Sequence, residues 1–160
     1  MTRTAIYPGS FDPVTRGHED IVRRSLLFAD RIIVAVAVSL SKAPLFTLEE
    51  RLRLLQEVFG PLEGVEVHSF DGLLVNYARK NDARLVIRGL RAVSDFEFEL
   101  QMALMNRRLH SELETVFLMP AVDLTFLSSS LVREVASLGG DVSEFVHPAV
   151  ERALRERFRA

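Results

Sequence analysis

His18, Lys42, Arg88 and Arg91, joined by the hydroxyl of Ser10, are the side chains of this sequence best suited to chemistry on an anion. An imidazole N–H placed beside a phosphate stabilises charge that grows in a transition state, and three cations around one crevice suit a polyphosphate. Each residue also has an ordinary structural reading: His18 as a helix cap, Lys42 as a solvated loop lysine, Arg88 as half of an ion pair. Two further groups belong with them. Ser128, Ser129 and Ser130 need only one hydroxyl to cap a helix, so the others are free to donate to an anion at its N-terminus. Asp95 and Glu99 stand one helical turn apart after Arg91, as a solvated face or as part of the same site.

What gives these residues a common address is the order of the elements around them. Thr4 to Tyr7 reads as a short buried strand running into Pro8-Gly9-Ser10-Phe11-Asp12-Pro13-Val14-Thr15-Arg16-Gly17-His18, after which an amphipathic helix begins with Ile21, Val22 and Leu26 on one face. Gly17 lets backbone approach a ligand closely. The apolar run Arg31 to Val38 suits a parallel strand covered on both faces. Thr47-Leu48-Glu49-Glu50 is a capping box that opens a helix ending at Gly60-Pro61. Further strands are expected at Val65 to His68, Leu85 to Ile87 and Thr115 to Met119, and further helices at Gly72 to Asn81, Asp95 to about Leu109, Leu131 to Leu138 and from Pro148 onward.

Alternating strands and helices imply right-handed crossovers and a doubly wound, Rossmann-like α/β fold, one domain over residues 1–160, with five parallel strands in the order 3-2-1-4-5. Strands one and four are then neighbours whose connections leave in opposite directions, and the crevice at their carboxyl ends is the ligand site. Gly9 to His18 and Arg88 to Arg91 lie at those two strand ends.

Composition removes other classes. The 160 residues contain no cysteine, which excludes disulfides and thiolate chemistry and suits a reducing cytoplasm. A net charge of −2 argues against a nucleic-acid-binding surface, and no apolar run approaches the roughly 20 residues of a membrane span. With the opening strand starting a few residues after Met1, no signal peptide is expected. The Walker A pattern and the three-glycine dinucleotide motif are missing, and His68, His110 and His147 lack metal-ligand spacing, so no protein metal site is expected.

The Thr15-Arg16-Gly17-His18 loop resembles the (H/T)-x-G-H motif of the nucleotidylyltransferase superfamily. Within it, Tyr7 to Pro13, Ser41-Lys42, Phe46 to Arg51, Ile87 to Arg91 with Asp95-Phe96-Glu97, and Phe126 to Ser130 are similar in order and content to the bacterial phosphopantetheine adenylyltransferases. The resemblance spans nearly the whole chain. It implies transfer of the adenylyl group of ATP, with Mg2+, to 4'-phosphopantetheine, giving dephospho-CoA and pyrophosphate in the penultimate step of coenzyme A synthesis. By resemblance His18 stabilises the transition state, with Lys42 and Arg91 beside it. Ser10, Lys42, Leu74 and Arg88 face phosphopantetheine. Ser10, Phe11, Gly17, His18, Gly89, Leu90, Arg91, Glu99 and the segment Leu124, Thr125, Phe126, Leu127, Ser128, Ser129 and Ser130 face ATP. A homohexamer and feedback by coenzyme A are also implied. Ser10 stands where many relatives have threonine, and Leu124 where many have an aromatic residue.

The residues themselves agree with that chemistry. A phosphate monoester with a second pKa of about 6 is already largely dianionic at neutral pH, so the attack needs no general base. The site must hold two repelling anions in line and stabilise charge on the α-phosphate. Nicotinate-nucleotide adenylyltransferase, a cytidylyltransferase, or a nucleotide-binding regulatory module without turnover are the alternatives. The Arg88 to Arg91 block and the Leu73-Leu74 pair, which suits a pantetheine arm, weigh against the first two. The presence of both His18 and Lys42 weighs against the third.

Overall fold

The computed structural model describes residues 1–38, 43–91 and 93–159. Lys42 lies outside the described residues. The strands are β1 (Thr4–Gly9), β2 (Arg31–Ala37), β3 (Val65–Phe70), β4 (Leu85–Gly89) and β5 (Glu114–Leu118), all parallel and ordered β3-β2-β1-β4-β5. The helices are α1 (Arg16–Ser25), α2 (Leu48–Phe59), α3 (Leu74–Lys80), α4 (Val93–Leu109), α5 (Ser129–Ser137) and α6 (Pro148–Phe158), with a 3₁₀ turn at Val122–Leu124. The expected doubly wound sheet and its switch point between β1 and β4 are therefore present.

Strand alternation divides the core in two. Ala5, Tyr7, Ile32, Val34, Val36 and Ile87 point to one face, where α1, α2, α5 and α6 bury Val22, Leu55, Val132 and Leu154. Ile6, Ile33, Ala35 and Val86 point to the other, covered by Val75 and Ala78 of α3. Because both faces are covered, β2 reads as a continuous apolar run rather than an alternating one. The capping box of α2 forms as the sequence predicts: Thr47 Oγ1 accepts from the Glu50 amide at 3.2 Å and Glu50 accepts from the Thr47 amide at 2.8 Å.

Most element boundaries move by one to a few residues: β4, for example, runs on to include Arg88 and Gly89, and the shifts of β1 and α1 reshape the site. β1 continues through Pro8 to Gly9, because each of its residues up to Gly9 pairs with a residue of β2. α1 begins at Arg16, two residues before His18 instead of after it. His18 thus sits in the first turn of the helix. No helix among the described residues is long and apolar enough to cross a membrane.

Candidate active site

A cleft of about 430 Å³ opens at the carboxyl ends of β1 and β4. Its walls come from the loop after β1, the start of α1, the turn after β4, and the start of α5. Of the residues singled out in the sequence, Ser10, Phe11, Gly17, His18, Arg88, Gly89, Arg91, Asp95, Glu99, Leu124, Leu127, Ser128, Ser129 and Ser130 line it.

Four do not. Leu74 is half-buried with Tyr77 against the α3 side of the core. The Leu90 amide donates to Leu118 O at 2.9 Å, as a bridge between strand ends. Thr125 Oγ1 donates to Val122 O at 2.9 Å, and Phe126 is exposed with its ring edge-on to Phe145 at 5.7 Å.

His18 is oriented by the helix it helps to start. Its Nδ1 accepts a hydrogen bond from the Thr15 backbone N–H at 3.0 Å, so imidazole takes the place that Glu or Gln holds in an ordinary capping box. A nitrogen that accepts carries no proton, which leaves the proton of the neutral ring on Nε2. Burial lowers the His18 pKa to about 4, and the charges of Arg91 and Arg88 add to that effect. Near neutral pH the ring is therefore an uncharged N–H donor. Phe11 meets it edge-on at 4.9 Å, and Tyr7 lies at 6.2 Å between ring centres.

The loop after β1 is pinned from below by residues far away in the chain. Buried Asp12 accepts the backbone N–H groups of Leu45 at 2.8 Å and Phe46 at 2.9 Å. Buried Arg51 donates to Ser10 O at 2.9 Å and to Phe46 O at 3.2 Å. From α5, Arg133 donates to Asp12 O at 2.5 Å and Ser129 Oγ to Pro13 O at 2.7 Å. Phe11 adopts φ +47°, in the left-handed region, and its ring packs so closely that a Cβ on Gly9 would stand 3.1 Å from it. A side chain at Gly9 would therefore press on the Phe11 ring.

The β4 side is built from ion pairs. Arg88 forms a bidentate pair with Glu99, Nε at 2.7 Å and Nη2 at 2.6 Å, and its Nη1 donates to Pro8 O at 2.9 Å. Burial opposes the guanidinium charge, but the bonds to Glu99 outweigh it and raise the Arg88 pKa. Three of its five N–H groups are used, which leaves two for a ligand. Glu99 is buried, so the reading of a solvated helical face is corrected: its partner is Arg88. Arg91 donates to Leu127 O at 3.1 Å and lies 3.4 Å from Asp95.

Tyr7, Asp12, Thr15 and Arg133 also line the cleft, and Arg51 supports it, yet sequence reasoning assigned none of them a role. Thr15 had a legible signal, since Thr-x-x-His carries the spacing of a capping box. Arg133, one turn into the helix that the serines start, had one too. No local pattern marks Asp12 or Arg51 as site supports, because the contacts that tie them to the loop and to each other's segments span 33 to 41 residues.

The cytidylyltransferase-like family model matches residues 6–135. Among solved structures, this chain superposes on a protein described as a putative nicotinate-nucleotide adenylyltransferase from Vibrio parahaemolyticus with a TM-score of 0.69, 17% identity, and 99% and 96% of the two chains covered. It also superposes on a bifunctional NMN adenylyltransferase/ADP ribose pyrophosphatase from Francisella tularensis, TM-score 0.74 at 12% identity, over all of this chain and 51% of that one. Fold and cleft together define a nucleotidyltransferase of the Rossmann-like α/β class. Phosphopantetheine adenylyltransferases of Aromatoleum aromaticum (58% identical, covering 96% of this chain and 94% of that protein) and Alkalilimnicola ehrlichii (58%, covering 99% and 92%) are similar over almost their whole lengths. A third, from a Janthinobacterium species, is 56% identical over 98% of both chains. The chain belongs to the phosphopantetheine adenylyltransferase family, the enzymes of adenylyl transfer in coenzyme A synthesis.

Proposed function

We propose that this cleft is where the phosphate of 4'-phosphopantetheine attacks the α-phosphorus of ATP. A new P–O bond forms to the acceptor, the bond to the bridging oxygen of the β-phosphate breaks, and pyrophosphate departs with that electron pair. The observation that carries the reading is His18: its Nδ1 is held by the Thr15 amide, so its N–H donor at Nε2 is fixed in a cleft that also contains Arg88 and Arg91. A donor already oriented costs no reorganisation when charge develops on the α-phosphate.

The other roles follow from position. Ser10 stands on the loop between the two substrates. Arg88 presents its two remaining N–H groups to the acceptor phosphate, and the family resemblance assigns Lys42 to the same phosphate. Arg91 and the start of α5 at Ser128, Ser129 and Ser130 take the triphosphate, where free backbone N–H groups and the helix dipole favour an anion. No group of three or more His, Asp or Glu side chains with metal-ligand spacing occurs among the described residues. Mg2+ would come with ATP as part of the substrate and supply charge neutralisation to the triphosphate, as a hard cation that prefers oxygen ligands does.

The assembly is a homohexamer in this reading, supported by α4, which exposes Phe98, Met102, Met105 and Leu109 in a row that water alone does not favour. Coenzyme A shares the pantetheine arm of the acceptor, which supports competition for the same cleft. The cytoplasm, which supplies ATP and keeps a cysteine-free chain at no disadvantage, is the proposed compartment. A coupled pyrophosphate-release assay tests the reading. Release is expected with ATP and phosphopantetheine, with at most a trace when CTP replaces ATP or nicotinate mononucleotide replaces the acceptor. Equal turnover with either replacement would refute the assignment.

A further inference from the structure

Tyr7 is a buried tyrosine with an unfilled hydrogen-bonding capacity. It is 6% exposed, and its ring packs edge-on against Phe11 at 5.4 Å. The only other tyrosine, Tyr77, has its hydroxyl bonded to His68 Nδ1 at 2.7 Å. The Tyr7 hydroxyl has no such partner among the described residues, and it is not sealed off, because no closed-off side-chain oxygen lacks a partner there. The small part of Tyr7 that remains accessible lies in the wall of the cleft.

A hydroxyl left unpaired in a mostly buried position costs stability that a phenylalanine would not. The cost is offset when a ligand supplies the acceptor. Tyr7 extends from β1 to the same sheet face as His18, Phe11 and Ile21, away from the face that carries Leu74. Arg88, Arg91 and Glu99 are the charges that act on it most strongly. Burial raises its pKa, so the phenol stays protonated and can only donate to an anion.

We propose that Tyr7 is a further catalytic residue, whose hydroxyl donates a hydrogen bond to a nonbridging oxygen of the ATP α-phosphate from the wall of the cleft, beside His18. The proposal rests on the reading of the cleft as the adenylyl-transfer site. That reading is tested separately by turnover of the unaltered protein.

Tyr7→Phe keeps the ring and its packing while removing the donor. Steady-state kinetics should show kcat lowered about tenfold to a hundredfold, with KM for ATP and phosphopantetheine within about twofold, as for a charge-assisted bond that strengthens in the transition state. The melting temperature should stay level or rise. A structural hydroxyl would behave in the opposite way, and unchanged kcat with a lowered melting temperature overturns the proposal.

A second measurement needs no variant at position 7. With tyrosine labelled by 13C at Cζ the protein gives two ring signals, and Tyr77→Phe assigns them. Addition of a non-hydrolysable ATP analogue should shift the Tyr7 signal, whereas adenosine should not. A Tyr7 signal unmoved by the saturating analogue, or moved equally by adenosine, overturns the contact. If the unaltered protein fails to release pyrophosphate while this shift occurs, the reaction assigned to the cleft is wrong and the phosphate contact stands.

Discussion

The two walls of the cleft are built on opposite plans. On the β1 side, the loop from Gly9 to Thr15 is fastened by Arg51, Arg133, Ser129 and the buried carboxylate of Asp12, and its Phe11 ring is buried. On the β4 side, Arg88 and Arg91 are held by ion pairs to Glu99 and Asp95, on a helix whose outer face shows apolar side chains to solvent. Rigidity on the first side comes from backbone groups whose places are set by the fold. On the second it comes from charge neutralisation, which an incoming phosphate can disturb. A transition-state donor belongs on the rigid side, and groups that greet and release anions belong on the adjustable one.

The comparison is broken most severely by His18→Ala. With the donor gone, kcat should fall by roughly 100- to 1000-fold, the loss typical of one such donor, while ATP binding measured by calorimetry changes little. A variant with near-normal turnover would mean that the rigid wall does not carry the chemistry.

Next in size is Glu99→Ala, which leaves the half-buried guanidinium of Arg88 without its counter-charge. Chemical denaturation should show a loss of about 3 kcal/mol, and Glu99→Gln should recover part of it. Asp12→Ala, which orphans two backbone N–H groups on the other wall, should cost about 2 kcal/mol. Its kinetic damage should exceed that of Glu99→Gln, because it loosens the loop that carries Ser10 and the approach to α1. Equal kinetic damage from the two would erase the distinction between walls.

Smaller effects separate the two arginines. Lysine keeps the charge but loses the guanidinium fork, so Arg88→Lys should raise KM for phosphopantetheine and Arg91→Lys KM for ATP, each by about tenfold. Indistinguishable profiles would refute the division.

The gentlest probe is pH. With a native pKa of about 4 against 6.5 for the ordinary imidazole, His18 binds its proton more readily in the unfolded chain. Its contribution to stability is therefore complete above about pH 6.5 and is lost as pH falls from there toward 4. Proton NMR of the His18 ring should show a midpoint near 4 in the free protein. Bound triphosphate, by countering Arg88 and Arg91, should raise it. A midpoint near 6.5 in the free protein would remove the neutral-donor argument.

Much of this molecule was readable from residue order because its signals are local. The unbroken apolar run of β2, the capping box at Thr47 and the serines that start α5 each act within a few residues. The switch point followed from alternation alone. The helix-cap reading of His18 holds, but the cap acts from inside the first turn of α1 rather than from the loop before it, which is why the helix starts earlier than the sequence places it. The pairing of Glu99 with Arg88 needed the crossing of α4 over β4, and the roles of Asp12, Arg51 and Arg133 needed contacts spanning 33 to 121 residues. No local pattern encodes those.

Those long spans bear on how the protein comes into being. The loop after β1 is among the first parts of the chain to be synthesised, yet Arg133 and Ser129, which fasten it at Asp12 and Pro13, lie 121 and 116 residues later. Contacts across such separations close late, since the loop-closure entropy must be met before they form. Helix content should therefore recover early in refolding and competence to turn over substrate late, so the enzyme's own product reports the completion of its fold.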